Sequence, residues 1–440
     1  MKKDELLTKK VALVTLGCDK NRVDAENMLY FLNQFGFSFS QDPLDAEIVI
    51  CNTCAFISDS RKESLETIIG IRHNSKKLEK MIVTGCLGEK NLDELKENLT
   101  EADLVLPLKE NKYIVRHILN LYGLEEEFSP KFCGLNRIVS TPKHYAYLKI
   151  ADGCNNFCAY CTIPFIRGRY HSVPLENLLK EAEELVRNGA KELILIAQDV
   201  TKYGYDLYGE YKIVELIREL SKIEDLKWIR LLYCYPELVS DELIDEIDIN
   251  HKVCAYIDIP MQHINDRILG LMNRKGDKNK IESVVKKILS AKNYICIRST
   301  FILGFPTEKR KDVKELEEFL KKNKLNNVGF FAYSKEEGTK AYYYKKQIPN
   351  FVKKIRVKKL QKLQNNVIIE NNKKLIGKIL DCVCDDVGNF GSVLRSEYNA
   401  PEIDTVVYVQ NKNLQVGEFY KVKITGYSDV DLVGEIIYEA

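Results

Sequence analysis

The chain has 440 residues, of which 45% are apolar and 30% charged, and its formal net charge at pH 7 is +2. That length and apolar content predict two or three domains with hydrophobic cores, and the near-neutral charge excludes a whole-chain argument for binding nucleic acid or membrane surfaces. No apolar run approaches the roughly eighteen residues of a membrane span and no signal peptide is apparent, so we expect a cytoplasmic protein without a membrane partner. The 13 cysteines, an odd number, are better interpreted as ligands and buried thiols than as disulfides.

The first part of the chain alternates short apolar strands with helical stretches. Strands are predicted at 11–16, 47–50 and 81–84, and a helix over 23–35 is expected to end at Gly36. A cysteine follows each strand closely: Cys18, Cys54 and Cys86. Because parallel strands collect ligands outside their carboxyl ends, these thiols are expected to converge on a metal site. The alternative is three unrelated buried thiols.

A second pattern of strands follows a linker. Residues 124–142 have weak periodicity and turn residues, so we interpret them as a linker with a domain boundary near residue 140. Six strands are then predicted, at 145–150, 192–197, 228–233, 255–259, 295–303 and 327–332. Six β–α units are two short of a closed eight-unit barrel. The sequence therefore predicts an open partial barrel with its active site at the carboxyl ends of the strands.

Three cysteines lie in one tight loop just after the first of these strands, in the stretch CNNFCAYC at 154–161. Thiolates are the soft ligands that iron–sulfur clusters and zinc select. Three of them can hold three corners of a four-iron cluster and leave its fourth iron open. Structural zinc is the rival interpretation, but it commonly uses two spaced pairs of ligands, and no partner pair lies nearby. Three buried cysteines are the other alternative.

Polar residues and a glycine turn follow the other strands of the predicted barrel. They are Gln198, Asp199, Arg230, Gln262, His263 and the turn 304–308, which begins with Gly304. Their shared position at one rim makes them candidates for binding a cofactor, and a glycine lets the backbone approach a ligand closely. The alternative for each is an ordinary loop position, and no acid–base catalyst is nominated.

The last part of the chain has a different sequence pattern from the part before it. Residues 352–372 predict a strongly basic helix, interpreted as a solvated face with an RNA contact as the alternative. From residue 376 short alternating apolar runs predict a small β-barrel, in which Cys382 and Cys384 share one face and are expected to pack together, with metal binding as the alternative. This region has five basic and eleven acidic residues. We expect it to attract a basic protein rather than RNA, unless its acidity serves only solubility.

The pattern Cys-x3-Cys-x-aromatic-Cys at 154–161 resembles the signature of radical S-adenosylmethionine (SAM) enzymes. The resemblance implies that Cys154, Cys158 and Cys161 hold a four-iron, four-sulfur cluster whose open iron binds SAM. An electron from the cluster then cleaves SAM to a 5′-deoxyadenosyl radical. Tyr160 is expected near the adenine, and the rim is expected to contribute further SAM contacts: Gln198, Arg230, Gln262 and Gly304.

Three earlier motifs resemble the amino-terminal domain of the methylthiotransferase family: TLGCDKNRVDAE at 15–26, NTC at 52–54 and TGCL at 84–87. The resemblance implies that Cys18, Cys54 and Cys86 hold a second four-iron cluster, with Cys51 outside the pattern. The terminal barrel resembles the TRAM domain that ends methylthiotransferases. The expected domains are an amino-terminal α/β domain at 1–135, a radical SAM partial barrel at 140–350, a connecting helix at 351–375 and a TRAM-like β-barrel at 376–440.

Within the family, IRLLYCYP at 229–236, DIPMQH at 258–263 and YSKEEGT at 333–339 look most like the RimO branch. Thr307 stands where much of the family has glycine. This branch adds a methylthio group to the β-carbon of one aspartate in small-subunit ribosomal protein S-twelve. The implied partners are that protein and an electron donor such as flavodoxin or ferredoxin, whereas tRNA is not expected.

The expected chemistry is consistent with this resemblance. An aspartate β C–H bond has no acidic proton worth removing at neutral pH, so a radical rather than a general base is expected to break it. Two alternatives stay open. One is a tRNA-modifying member of the same family, and the other is a cluster-bearing redox or scaffold protein.

Overall fold

A computed structural model of the protein describes residues 2–130 and 135–437. Its contacts divide the chain into two compact units. The first contains the described residues up to Ser140 together with Asp152–Asn155 and Cys161–Tyr170, and the second contains the described remainder. Part of the predicted linker, 131–134, and the last residues of the predicted barrel, 438–440 with the acidic Glu439, lie outside the described residues.

The first unit is built on a parallel sheet. Its strands are β1 (Lys10–Thr15), β2 (Ser38–Phe39), β3 (Ile48–Thr53), β4 (Lys80–Gly85) and β5 (Leu104–Val105), in the order β2-β1-β3-β4-β5. Its helices are α1 (Lys3–Leu6), α2 (Asp19–Phe35), α3 (Ser58–Asn74), α4 (Cys86–Lys90), α5 (Leu92–Asn98), α6 (Ile114–Leu121) and α7 (Ile163–Ile166). The three predicted strands and the first predicted helix are confirmed.

Side chains alternate between the two faces of this sheet along each strand, and helices bury both faces. Ile48 and Ile50 of β3 pack with α2 and α6 on one face. Val49 and Cys51 pack with α3 on the other. Cys51 is therefore a core thiol, which agrees with its place outside the cysteine motif. Helix α2 ends as predicted at Gly36, whose φ of +109° favours glycine.

The second unit begins with a six-stranded parallel sheet. Its strands are β6 (Tyr145–Lys149), β9 (Glu192–Ile196), β10 (Trp228–Leu231), β11 (Val253–Asp258), β12 (Cys296–Leu303) and β13 (Asn327–Ala332). Two further short strands of the chain are β7 (Ala151–Asp152) and β8 (His171–Ser172). The sheet order is β13-β12-β11-β10-β9-β6, so β6 and β13 are its edges. This is the predicted open partial barrel of six β–α units.

Helices cover this sheet and connect its strands. They are α8 (Leu175–Arg187), α9 (Tyr205–Tyr208), α10 (Ile213–Leu220), α11 (Asp241–Ile249), α12 (Asp266–Leu271), α13 (Lys278–Leu289), α14 (Arg310–Asn323) and the long α15 (Asn350–Leu375). Helix α15 includes the predicted basic stretch. In the part of the chain that the structure describes, no helix is both long and apolar enough to cross a lipid bilayer.

The chain ends in a closed five-stranded barrel. Its strands are β14 (Ile379–Gly388), β15 (Gly391–Ser396), β16 (Val407–Val409), β17 (Phe419–Ser428) and β18 (Asp431–Ile436), in the order β14-β15-β16-β18-β17. Cys382 and Cys384 are both fully buried in its apolar core. They pack inside the barrel as predicted.

A buried charge layer joins this barrel to the six-stranded sheet, formed by His144, Glu192, Arg230, Asp385 and Arg395. Arg395 donates to Glu192 Oε2 at 2.6 Å and to Asp385 Oδ2 at 2.9 Å. Arg230 Nε donates to the other Glu192 oxygen at 2.6 Å, and His144 Nε2 lies 2.8 Å from Asp385 Oδ1. Both guanidinium groups are buried.

The layer shows where the terminal barrel is attached. Glu192 and Trp228 begin β9 and β10, and the Trp228 ring packs edge-on against Phe419 of β17 at 4.7 Å between centroids. The terminal barrel therefore packs at the amino ends of the parallel strands, away from their carboxyl-end rim. Asp385 and Asp404 belong to this buried contact, so part of the predicted acidic surface is internal.

Candidate functional site

The first candidate site lies at the carboxyl ends of three neighbouring strands of the first unit. Cys18 caps the start of α2 after β1, Cys54 directly follows β3, and Cys86 begins α4 directly after β4. Cys18 is exposed, whereas Cys54 and Cys86 are buried. The parallel sheet thus brings the three predicted cysteines to one edge.

The three thiols are close enough to influence one another electrostatically. The pKa of Cys86 is raised to about 12, chiefly by burial; the charge of Arg167 lowers it, and negative charge on Cys18 or Cys54 contributes to the rise. Burial likewise raises the pKa of Cys54, and Cys18 contributes in the same direction. Thiolates that lie close together repel one another, so they need a positive charge nearby. A metal centre provides that charge.

Close packing fixes two of these residues. Gly17 has a φ of +93°, and a β-carbon there would lie 2.7 Å from Cys54 Cβ and 2.9 Å from Cys54 Sγ. Only glycine fits this position without displacing Cys54. On the other side, Ser64 Oγ lies 3.1 Å from both the backbone nitrogen and the carbonyl oxygen of Cys54.

Asn21 connects the cysteine loops and is fully buried. Its Nδ2 donates to the carbonyl of Leu16 at 3.0 Å and to that of Thr53 at 2.9 Å. Its Oδ1 lies 3.5 Å from Cys86 Sγ and accepts a 2.6 Å hydrogen bond from Arg167. Asn21 therefore links the ends of β1 and β3 to the third cysteine.

A buried guanidinium lies beside these thiols. Arg167 donates to Asp24 and to Asp152, both at 2.9 Å, and its side chain is 3% exposed. Burial opposes its charge, but Asp24, Asp152 and the thiols of Cys86 and Cys18 raise its pKa well above the usual value. The sequence prediction missed Arg167, since no motif marks it, whereas Asn21 and Asp24 stand within the quoted motif at 15–26.

The donor set fits an iron–sulfur cluster better than a single ion. A structural zinc ion gathers its ligands around one centre at about 2.3 Å for sulfur, whereas each cysteine of a four-iron cluster binds a different iron. Three thiols on separate strand ends, with a fixed positive charge beside them, suit the larger group.

The loop 154–161 carries the second set of cysteines. Cys154 and Cys161 belong to the first unit and Cys158 to the second. The backbone nitrogen of Cys154 donates to the Gly168 carbonyl at 3.1 Å, and Cys158 Sγ lies 3.7 Å from the Tyr235 hydroxyl. Cys154 is buried, and the other two are half-buried.

Hydrogen bonds from the rim hold the middle of this loop. Asn156 donates to Asp199 Oδ2 at 3.2 Å, and Asn273 donates to the carbonyl of Phe157 at 2.8 Å. Phe157 has a φ of +49°, a conformation that costs energy in a residue with a side chain. Asp199 is fully buried, and burial raises its pKa. Asp199 therefore acts on the cysteine loop as a positioning residue.

A second cation lies beside Cys158. The Arg274 guanidinium stacks 3.7 Å from the centre of the Tyr235 ring and donates to the Pro260 carbonyl at 3.0 Å. Burial opposes its charge, but Tyr160, Tyr235 and Cys158 raise its pKa above the usual value. The sequence prediction missed this residue, because a basic side chain in the loop after a short helix carries no distinctive spacing.

Four of the five predicted SAM contacts lie at or near the carboxyl-end rim, where Gly304 directly follows β12. Tyr160 joins an apolar cluster with Phe305, whose ring centre is 6.5 Å away. Gln198 follows β9 and is half-buried. Gln262 has a φ of +69°, and its backbone nitrogen donates to the Thr300 carbonyl at 2.8 Å. Their contact with SAM stays a prediction.

Arg230 requires a correction. Its side chain is fully buried and extends to Glu192 at the amino end of β9, and its Nη1 donates to the carbonyl of Glu397 at 2.7 Å. The guanidinium therefore belongs to the buried charge layer, and the prediction that it binds SAM is wrong. A position near the end of a short strand does not determine which way a long side chain runs.

Gly304 also serves a packing role. Its φ is +74°, and a β-carbon there would lie 2.3 Å from Lys353 Cγ, so the space beside it is already filled. Its backbone nitrogen donates to Glu308 at 2.9 Å. Thr307 keeps a φ of +71° although it carries a branched side chain, and Arg267 donates to its hydroxyl at 2.8 Å. The left-handed turn that glycine would favour is thus retained with threonine.

Comparison with protein families accounts for most of the chain. Residues 10–107 match the family described as uncharacterized protein family UPF0004. Residues 148–320 match the radical SAM superfamily, and residues 376–437 match the TRAM domain. These matches cover the first parallel sheet, the greater part of the six-stranded sheet and the terminal barrel.

Full-length relatives extend this result. The chain is 44% identical to the ribosomal protein uS12 methylthiotransferase RimO of Thermoanaerobacter sp. (strain X514), over 97% of this chain and 100% of that protein. It is 42% identical to the protein of the same name from Clostridium botulinum (strain Loch Maree / Type A3), over 98% of each. The solved structure of the radical SAM methyltransferase TsrM from Kitasatospora setae has a similar fold, with a TM-score of 0.54 at 14% identity over 73% of this chain and 72% of that chain. The chain belongs to the RimO family of ribosomal protein uS12 methylthiotransferases.

Proposed function

We propose that this chain adds a methylthio group to the β-carbon of one aspartate in ribosomal protein uS12. The observation that carries the proposal is the identity of 44% over 97% of the chain with a protein named for that activity. The two cysteine sets at 18, 54, 86 and 154, 158, 161 support it independently, since inserting sulfur at an unactivated carbon calls for metal and radical chemistry.

We propose that Cys18, Cys54 and Cys86 hold one four-iron cluster and that Cys154, Cys158 and Cys161 hold the other. When bound, the clusters and SAM would supply the carbon radical that removes the hydrogen. They would also supply the sulfur and methyl groups that take its place. The chain itself holds the cysteines in place through the tight contact at Gly17 and places the Arg167 charge beside them.

At the second set we propose that Tyr160, Gln198, Gln262 and the backbone of Gly304 contact SAM. Arg274, stacked on Tyr235 beside Cys158, is proposed to stabilise the anionic thiolate and to hold this part of the loop. No side chain is assigned as a general acid or base. We propose that the chain is divided into domains at 1–135, 140–350, 351–375 and 376–440.

The reaction requires an electron for SAM cleavage. We propose flavodoxin or ferredoxin as the donor, and the cytoplasm as the place of action, since both the donor and the ribosomal substrate are found there. A reduced flavodoxin that supports turnover in place of a chemical reductant would support this proposal, and failure of both proteins to do so would contradict it.

Mass spectrometry of ribosomal proteins and tRNA from cells with and without the gene tests the function. We expect uS12 to lose the mass of one methylthio group on an aspartate when the gene is removed, and to regain it when the wild-type gene is restored. Restoring a gene with Cys154→Ala should leave uS12 unmodified. Loss of a methylthio group from a tRNA adenosine, with uS12 unchanged, would show that the tRNA-modifying alternative is right.

A further inference from the structure

Helix α15 has two faces of different character. On the inner face, Lys353 Nζ donates to the Tyr333 carbonyl at 2.7 Å, Arg356 pairs with the carboxylate of Glu308, and Gln364 donates to the Leu325 carbonyl at 2.9 Å. Leu360 on the same face is fully buried. This face attaches the helix to the six-stranded sheet, and its cations are engaged in that attachment.

The outer face carries three lysines at intervals of four residues: Lys354, Lys358 and Lys362. All three are exposed. Among the described residues none of the three has a hydrogen bond or an ion pair, whereas the neighbouring Lys359 pairs with Glu317 at 2.6 Å. Four residues advance a helix by about 6 Å, so the three ammonium groups form a row along one side of α15.

This row borders a groove of about 440 Å³, which we call the basic groove. Its walls are formed by the three lysines and by Ala332, Val357, Gln361 and Asn365. No carboxylate of the described residues lines it. Phe331, beside Ala332 on the edge strand β13, is 54% exposed, and Phe351 at the start of α15 is 67% exposed. Unpaired lysines, side-chain amides and nearby exposed aromatic rings are the side chains that bind a nucleic-acid strand.

We propose that the basic groove binds the phosphate backbone of small-subunit ribosomal RNA beside uS12. The inference rests on the proposed function, because a ribosomal protein in its particle is surrounded by RNA. An uncompensated row of lysines gains free energy by releasing counterions from phosphates. Binding RNA and protein together would make uS12 in its particle a better substrate than free uS12.

The test compares two sets of three substitutions that remove the same charge. Lys354→Gln, Lys358→Gln and Lys362→Gln neutralise the basic groove with a residue of good helix propensity. The control set is Lys314→Gln, Lys321→Gln and Lys322→Gln on the neighbouring α14. These control lysines are exposed but face carboxylates, those of Glu318, Glu317 and Glu282. Equal iron content and thermal unfolding establish that both variants are folded.

The probe is the small ribosomal subunit from cells that lack the gene, with binding measured over a range of salt concentrations. For the wild type, a plot of the logarithm of the binding constant against the logarithm of salt concentration should have a negative slope. In the groove variant the magnitude of that slope should be smaller by about 3. The control variant should keep the wild-type slope. The ratio of kcat/KM on the subunit to kcat/KM on free uS12 should fall at least tenfold in the groove variant only.

Three results would overturn the inference. The first is an unchanged salt slope in the groove variant. The second is displacement of the enzyme from the subunit by polyglutamate but not by ribosomal RNA, which would identify an acidic protein as the partner. The third is displacement by bulk tRNA as efficient as by ribosomal RNA. Wild-type enzyme that modifies neither free uS12 nor the subunit would instead contradict the proposed function.

Discussion

The guanidinium of Arg167 donates a 2.9 Å hydrogen bond to the carboxylate of Asp24, a residue 143 positions earlier in the chain. A second carboxylate, that of Asp152, holds the same group from another side at 2.9 Å. The pair fixes a buried positive charge next to Cys86 and Cys18. Charge and hydrogen bonding near an iron–sulfur cluster are among the main factors that set its reduction potential.

We expect Arg167→Gln to make the reduction potential of the first cluster more negative and to lower protein stability by about 1–3 kcal/mol, because two half-buried carboxylates lose their charged partner. Arg167→Lys should show a smaller change in potential, since it keeps the charge. Redox titration followed by electron paramagnetic resonance measures the potential. Arg187→Gln, at a side chain that is 65% exposed, is the control and should match the wild type. An unchanged potential in Arg167→Gln would contradict the prediction.

The two cysteine sets should behave as separate sites. The reconstituted wild-type protein is expected to hold about eight irons, four in each cluster. Changing Cys154, Cys158 and Cys161 together to alanine should remove half the iron and all SAM cleavage. Changing Cys18, Cys54 and Cys86 together should remove the other half and leave cleavage detectable. Iron analysis and chromatography of 5′-deoxyadenosine measure both, with Cys51→Ala as a control that keeps all the iron. A wild-type iron content near four would show that the assignment is wrong.

Gly17→Ala tests the close packing against Cys54. We expect it to cost about 1–3 kcal/mol from the positive φ alone, with a further loss because the new methyl group would lie 2.7 Å from Cys54 Cβ. Iron content should fall toward half, since Cys54 would be displaced. Gly70→Ala is the matched control, because Gly70 is helical and nothing lies within 4 Å of its added β-carbon. That control should be neutral or stabilising in chemical denaturation. Equal stability of both variants would contradict the prediction.

The buried charge layer gives the protein a specific sensitivity to acid. Burial raises the pKa of Asp385, but the hydrogen bond with His144 and the charge of Arg395 outweigh it and leave the pKa below its ordinary value of 3.8. Such a carboxylate stabilises the fold above its ordinary pKa, and this contribution is lost as the pH falls through the lowered value. The stability difference between wild type and Asp385→Asn should therefore be constant at neutral pH and shrink below about pH 4.

The single tryptophan provides the measurement for this acid effect. Trp228 packs against Phe419 where the terminal barrel meets the sheet, so its fluorescence reports the separation of the two. Asp381→Asn, at an exposed position on the same strand, serves as the control. A difference between wild type and Asp385→Asn that stays constant down to the acid transition would refute the role given to Asp385.

The positions of the strands, and of cysteines close to their carboxyl ends, could be predicted from the sequence for physical reasons. Buried parallel strands are apolar runs, and a cysteine just past such a run lies at the sheet edge, as at Cys54 after β3. Arg167 and Arg274 were missed, because their partners are distant in sequence and no periodicity connects them. Arg230 was misassigned, since the direction of a long side chain depends on Glu192 and Arg395, which only the fold brings together.

The charge layer between the sheet and the terminal barrel has a consequence for quality control in the cell. A chain cut short before residue 376 would keep Glu192, Arg230 and Trp228 but lose Arg395 and Phe419. The charges of the layer and the indole ring of Trp228 would then be exposed to solvent. Such a product is expected to be recognised by chaperones and degraded rather than to persist as a smaller enzyme. We also expect the terminal barrel and the sheet to stay together in evolution, because a terminal barrel from an unrelated protein would not supply the matching charges.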